Sequence, residues 1–164
     1  MSEPVGYLLT WTCYGTWLPG DERRSVDKKH NTYGTPRAPV DPARVAGARQ
    51  RQTHRTVVLA EEARAIVADT IAAHCQFRGW ALHAVNARSN HVHVVVGYAG
   101  QTPEKVMGEF KCWCSRRLHE TGALPNEGQV WTDHGSTVYL WNPRDIAGAV
   151  EYVDEGQGPE RFGR

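Results

Sequence analysis

The stretch His91-Val92-His93-Val94-Val95-Val96-Gly97-Tyr98 constrains the fold more than any other part of the chain. Its β-branched residues and period of two read as a strand, whose successive side chains point to opposite faces of a sheet. Val92 therefore turns into a core and Val94 to Val96 continue a buried strand. His91 and His93 emerge together on one face, about 6–7 Å apart. Trp80 to Ala87 also has strand character, and the tight Arg88-Ser89-Asn90 connection makes the two segments a pair.

The remaining elements follow from periodicity and end signals. Gly6 to Tyr14 is aromatic and β-branched and reads as the first strand. Glu61 to Arg78 carries Ala63, Ile66, Val67, Thr70, Ile71, His74 and Cys75 at helical spacing, and Gly79 is a natural stop. Thr102 caps a helix opened by Pro103 and running to His119. That helix is expected to bury Val106, Met107, Phe110, Trp113, Cys114 and Leu118, leaving Lys105, Lys111, Ser115 and Arg116 outward. A short strand is expected near Val138 to Trp141. Asn142-Pro143-Arg144-Asp145 then starts a last helix reaching about Glu155. Strand, helix, strand, strand, helix, strand, helix predicts an α+β, ferredoxin-like split β-α-β fold. Its antiparallel sheet carries helices on one face and a further C-terminal helix.

Length and charge set the organisation. The 164 residues suit one domain, taken as 1–157 with a disordered tail at 158–164. No apolar run approaches the roughly 18 residues that span a bilayer, and Met1-Ser2-Glu3-Pro4 lacks the look of a secretory signal. A cytoplasmic protein without membrane contact is expected. Net charge is only +1, yet Gly20 to Thr56 holds nine Lys or Arg against four Asp or Glu, and the remainder is acidic on balance. Residues of about 20–56 thus read as a basic insertion on a mildly acidic body, either an arm that tracks phosphates or a solvated loop. Cys13, Cys75, Cys112 and Cys114 match neither a zinc-knuckle pair nor a disulfide framework, and reduced, mostly buried thiols are expected.

Two imidazoles on one strand face can converge on a cation, although a bystander pair on a solvated face has the same spacing. A zincin needs two histidines at i, i+4 on a helix with an intervening Glu, which is absent. The His-x-Glu and Pro-Cys-x-x-Cys units of a zinc deaminase are absent as well. On the last helix, Ile146, Val150 and Val153 form the buried stripe. Tyr152 lies about 100° from Val153, on its flank. Gly148 and Ala149, one turn back, are too small to shield its ring. Such a phenol suits an attacking group, or simply closes the core with its hydroxyl in water.

Asn90-His91-Val92-His93, followed by Val94-Val95-Val96, resembles the HUH motif of the small single-tyrosine transposases. These include the enzymes of the smallest insertion sequences and the repeat-associated tyrosine transposases. Tyr7-Leu8-Leu9-Thr10-Trp11 resembles that family's first strand, and Val130-Trp131 the Val-Trp before its last strand. Glu151-Tyr152-Val153 resembles its nucleophile helix. The resemblance spans most of the chain, excluding the basic insertion and the tail. It implies a metal held by His91 and His93, a Tyr152 nucleophile, a covalent 5′-phosphotyrosine intermediate and a free 3′-OH. Single-stranded or hairpin DNA is the implied substrate.

The family's third ligand is a Gln four residues after the tyrosine. Here that position is Gly156 and Gln157 comes fifth, so Gln157 is the expected third ligand with Glu155 as competitor. Imidazole with amide or carboxylate oxygen suits Mg²⁺ or Mn²⁺, with Zn²⁺ left open. No Walker-type loop is present, in keeping with a transesterification that needs no nucleotide. Expected DNA contacts are Arg23, Arg24, Lys28, Lys29, Lys111 and Arg116. Asn90 is expected to bind substrate or fix a ring. Trp17 stands out for base stacking over Trp131 and over Trp11, which suits the core better. Two rival readings stay open: a domesticated relative that grips hairpin DNA without cutting, and an unrelated His-x-His hydrolase. Family members work as homodimers or monomers, and DNA-bound protein is expected to associate with the nucleoid.

Overall fold

The computed structural model describes residues 2–15, 42–43, 56–125 and 128–155. Its elements are β1 (Gly6–Thr12), α1 (Glu61–Arg78), β2 (Leu82–Ala87), β3 (His91–Gly97), α2 (Pro103–Glu120), β4 (Ser136–Leu140) and α3 (Pro143–Glu155). The sheet order is β2-β3-β1-β4, with every neighbouring pair antiparallel. This is the ferredoxin-like α+β arrangement expected from the order of elements. Of the basic stretch, only residues 42–43 and 56 are described, and the tail lies outside the described residues.

The valine-rich strand sits at the centre because it can bury both faces. β3 pairs with β1 on one side and β2 on the other, and its residues Val92 to Val96 are all buried. On one face Tyr7, Leu9, Trp11, Val92, Val94 and Val96 meet the apolar sides of α1 and α2. Trp11 stacks on Phe110 at 6.3 Å and meets Trp131 edge-on at 6.0 Å. On the other face Leu8, Ala84, Val95, Val138 and Leu140 are covered by Ala149 and Val153 of α3. The first two helices therefore share a face and, among the described residues, α3 is the helix on the opposite one.

The helix ends form as their chemistry requires. Thr102 Oγ1 accepts the Lys105 amide at 3.3 Å. Asn142 Oδ1 accepts the Asp145 amide, while the Asp145 carboxylate accepts the Trp141 amide at 3.1 Å. Gly79 ends α1 with φ 73°, the left-handed conformation that a glycine adopts without strain. Burial raises the thiols of Cys13 and Cys114 to about 12 and that of Cys75 to about 11. All four cysteines are free thiols, with Cys112 exposed.

Several expectations change, among them the stripe of α3, where Ala149 and Val153 are fully buried and Ile146 and Val150 only partly. β2 starts at Leu82 rather than Trp80, whose ring packs against His74 and Phe110. β4 starts at Ser136, two residues early, because Ser136 and Thr137 pair with Thr10 and Leu9. Trp113 is not buried. It is 41% exposed at the seam between α1 and α2, its ring beneath the Arg116 guanidinium at 5.2 Å.

Gly135, just before β4, admits no side chain. A Cβ there would stand 2.6 Å from the Thr10 carbonyl oxygen and 2.9 Å from Met107 Sδ. Gly135→Ala is expected to destabilise the protein by about 1–3 kcal/mol, the usual range for overpacking, read as a lowered urea midpoint with unchanged slope.

Candidate active site

The face beneath α3 is apolar at one end of the sheet and polar at the other. Two residues along from Val95 stands His93, and two further stands His91. Thr10 is the register partner of His93 on β1, Asn86 its partner on β2, and Thr12 the partner of His91. A polar patch of two imidazoles, hydroxyls and an amide thus adjoins the apolar seat of α3.

The imidazoles lean together. Their ring centroids are 4.6 Å apart with planes at 85°, and His93 is only 3% exposed. Each ring is fixed at Nδ1. His91 Nδ1–H donates to Asn90 Oδ1 at 2.5 Å, and His93 Nδ1 bonds Thr10 Oγ1 at 2.8 Å. The Asn90 amide oxygen can only accept, so it keeps the His91 proton on Nδ1 and turns Nε2 to the acceptor role, whereas the Thr10 hydroxyl fits His93 with the proton on either side of the bond.

The hairpin turn that sets this geometry is itself clamped. The Arg88 amide donates to the His91 carbonyl at 2.8 Å. The Cys13 amide bonds the Asn90 carbonyl and the Leu59 amide the Ser89 carbonyl, so the turn is tied to the end of β1 and to the chain leading into α1. Ser89 and Asn90 are buried.

Tyr152 arrives from α3. Ala149 and Val153 are fully buried against the sheet, and Tyr152, beside Val153, is half-buried at the edge of that contact. Its ring lies 5.6 Å from the His93 ring, at 85°. The three side chains singled out from the sequence, His91, His93 and Tyr152, therefore form one continuous group. Asn86 joins it, its Nδ2 donating to the Val153 carbonyl at 3.0 Å.

Other expected site residues fall elsewhere. Glu155 is exposed, and among the described residues no His, Cys, Asp or Glu joins the imidazole pair to make a set of three. Glu155 is thus not brought in as a third ligand. Gln157, Trp17, Arg23, Arg24, Lys28 and Lys29 lie outside the described residues. Asn90 is 8% exposed and its side-chain oxygen accepts from His91, the ring-fixing role of the two expected for it.

Lys111 does not face outward. Its ammonium bonds the carbonyls of Thr132 and His134, and burial lowers it to about 8 against a partial opposing effect of Asp133. It pins the segment entering β4. Arg116 is exposed on α2, which packs on the sheet face opposite the imidazoles, and pairs with Glu120 at 3.5 Å. Trp131 is 5% exposed with its indole N–H on the Lys111 carbonyl, and Trp11 is 1% exposed; both belong to the core.

Sequence reasoning missed Thr10 and Asn86. Both stand opposite His93, but the signal for either is a cross-strand register that only the folded sheet supplies.

Comparison with known proteins bears on the same segment. No curated protein matches the chain. A solved structure of a candidate transposase from Deinococcus radiodurans R1 is similar at 16% identity, covering 97% of this chain and 95% of that one, with a TM-score of 0.46. The family described as IS200-like transposase matches residues 50–144, a span that contains both histidines and stops eight residues before Tyr152. With more than half of its length matched, the chain belongs to the IS200-like transposase family.

Proposed function

We propose that this protein is a metal-dependent tyrosine transposase that cuts and rejoins single-stranded or hairpin DNA, with Tyr152 as nucleophile and His91 and His93 as metal ligands. The observation that carries the reading is the convergence of three rings from β3 and α3, with centroid separations of 4.6 and 5.6 Å.

The donor set fits a divalent cation. A histidine that ligates through Nε2 commonly donates its other N–H to a carbonyl or carboxylate, which fixes the ring and raises its basicity. Asn90 supplies such a partner to His91 through its amide oxygen, and the Thr10 hydroxyl can accept from His93 in the same way. Gln157 is the proposed third ligand, and imidazole with amide oxygen suits Mg²⁺ or Mn²⁺, with Zn²⁺ also accommodated. When bound, the cation supplies Lewis-acid polarisation of the scissile phosphate, worth several kcal/mol.

The protein's own part is positioning and attack. α3 holds the Tyr152 phenol against the His93 ring, at the edge of the apolar contact where DNA can reach it. Its oxygen forms a bond to phosphorus while the bond from phosphorus to the 3′-oxygen breaks. The phenol proton is lost to solvent and the released 3′-oxygen gains one, which leaves a 5′-phosphotyrosine and a free 3′-OH. One phosphodiester replaces another, so the reverse attack by a 3′-OH rejoins DNA without a nucleotide cofactor. Arg23, Arg24, Lys28, Lys29 and Trp17 are proposed to hold DNA, as parts of a basic insertion within one domain, and a homodimer is proposed as the working form. The proposed setting is the cytoplasm, on the nucleoid.

Two outcomes check this account. Incubated with a labelled random-sequence library of hairpin-bearing single-stranded DNA and Mn²⁺, the wild-type protein is expected to form a covalent DNA adduct stable to denaturing gels. Tyr152→Phe should abolish it while retaining DNA binding. DNA bound but never joined by the wild type contradicts the nucleophile role, and cleavage that survives Tyr152→Phe points to a hydrolase instead. Asn90→Ala should weaken Mn²⁺ binding by about 10–100-fold, measured by titration calorimetry without DNA. Unchanged affinity contradicts the ring-fixing role.

A further inference from the structure

Beside Tyr152, a side chain of the sheet bonds the backbone of α3. Asn86 sits in β2 directly across from His93, on the face that α3 covers. Its Nδ2 reaches the carbonyl of Val153, the residue after Tyr152, at 3.0 Å. Val153 belongs to the last turn of α3, where helix carbonyls turn to donors outside the helix. The apolar part of the α3 seat, Ala149 and Val153 on Leu8, Val95 and Val138, fixes how close the helix lies. Apolar contact is non-directional and does little to fix the helix's rotation or its slide along the sheet. A directional bond at the residue next to the tyrosine does.

Local anchors at the other end of α3 do not reach this far. Asn142 and Asp145 secure its first turn, two and a half turns before Tyr152. The exposed Glu151, Asp154 and Glu155 around the tyrosine are turned to solvent. Asn86 thus gives the stretch of α3 that carries Tyr152 a directional polar attachment to the sheet.

We propose that Asn86 is a positioning residue for Tyr152: its bond to the Val153 carbonyl clamps the last turn of α3 on β2 and sets the phenol beside His93. The inference rests on the nucleophile reading of Tyr152 for its effect on activity, but the clamp itself does not. Displacing a reacting group by about 1 Å lowers rates by on the order of 100-fold, so losing the clamp should act on turnover more than on DNA affinity.

The test uses the full chain carrying ring-¹³C tyrosine, as wild type, Asn86→Leu and the isosteric Asn86→Asp, which replaces the donor by an acceptor. The Tyr152 resonance is assigned by its absence from Tyr152→Phe. In both variants it should move and lose the shift imposed by the His93 ring, while the resonances of Tyr7 and Tyr139 stay in place. Kinetics use an oligonucleotide recovered from the DNA library as a covalent adduct. The saturating rate of adduct formation should fall about 10–100-fold, with the half-saturating DNA concentration changed less than threefold. An unmoved Tyr152 resonance in both variants overturns the clamp, as does a loss confined to the half-saturating concentration. Should Asn86→Leu fail to fold, Asn86→Asp and Asn86→Ser decide by the same readouts. Failure of the wild type to form any adduct sinks the nucleophile reading alone, since the resonance comparison needs no DNA.

Discussion

The antiparallel pairing of β3 with β1 is the constraint on which the rest of the structure depends. Its register sets Val94 opposite Leu9 and Val92 opposite Trp11 on one face, and His93 opposite Thr10 and His91 opposite Thr12 on the other. A slip of one residue would turn the valines out and bury both imidazoles among apolar side chains. The large apolar groups under α1 and α2, above all Trp11 and Phe110, hold that register. They thereby hold two imidazoles at the polar end of the opposite face. The stability of one core thus fixes the chemistry of the other surface.

The second layer of dependence runs through α3. This helix is short, and its buried contact is small: Ala149 and Val153 against the apolar half of the sheet face. Small residues let the helix lie close, which brings the phenol of Tyr152 level with the His93 ring at 5.6 Å. An apolar seat abutting a polar patch is what a reactive group from one element needs to meet ligands from another. The seat supplies adhesion, and the patch supplies donors and acceptors. Asn86 and Thr10, on the strands either side of β3, finish the patch and connect both layers.

Much of this was legible in the sequence, and the parts that were not share a cause. The elements follow from period and end signals, because α1, the hairpin and α3 have strong local patterns such as the valine run and the Asn142-Pro143-Arg144-Asp145 start. The histidine pair follows from the strand period alone. The tyrosine required its resemblance to a known family, since a flanking tyrosine on an amphipathic helix has an ordinary explanation. Thr10 and Asn86 were not legible because their roles arise from strand pairing, not from spacing along the chain. Lys111 and Trp113 were misjudged for a related reason. Helical spacing puts Lys111 on the outer flank, but the segment entering β4 folds over it with carbonyls to satisfy. The same spacing turns Trp113 inward, but Trp11 and Trp80 already take the places beside Phe110, and Trp113 stays at the seam with α1 against His74.

The central claim is that one metal position lies between the imidazoles and within reach of the phenol. Paramagnetic broadening by Mn²⁺ measures this most directly, because relaxation falls off with the sixth power of distance. Mn²⁺ added below stoichiometry should broaden the Tyr152 ring resonance of the full chain ahead of Tyr7, Tyr98 and Tyr139, and His93→Ala should remove that selectivity. Broadening that spares Tyr152, or that is the same without His93, would contradict the account.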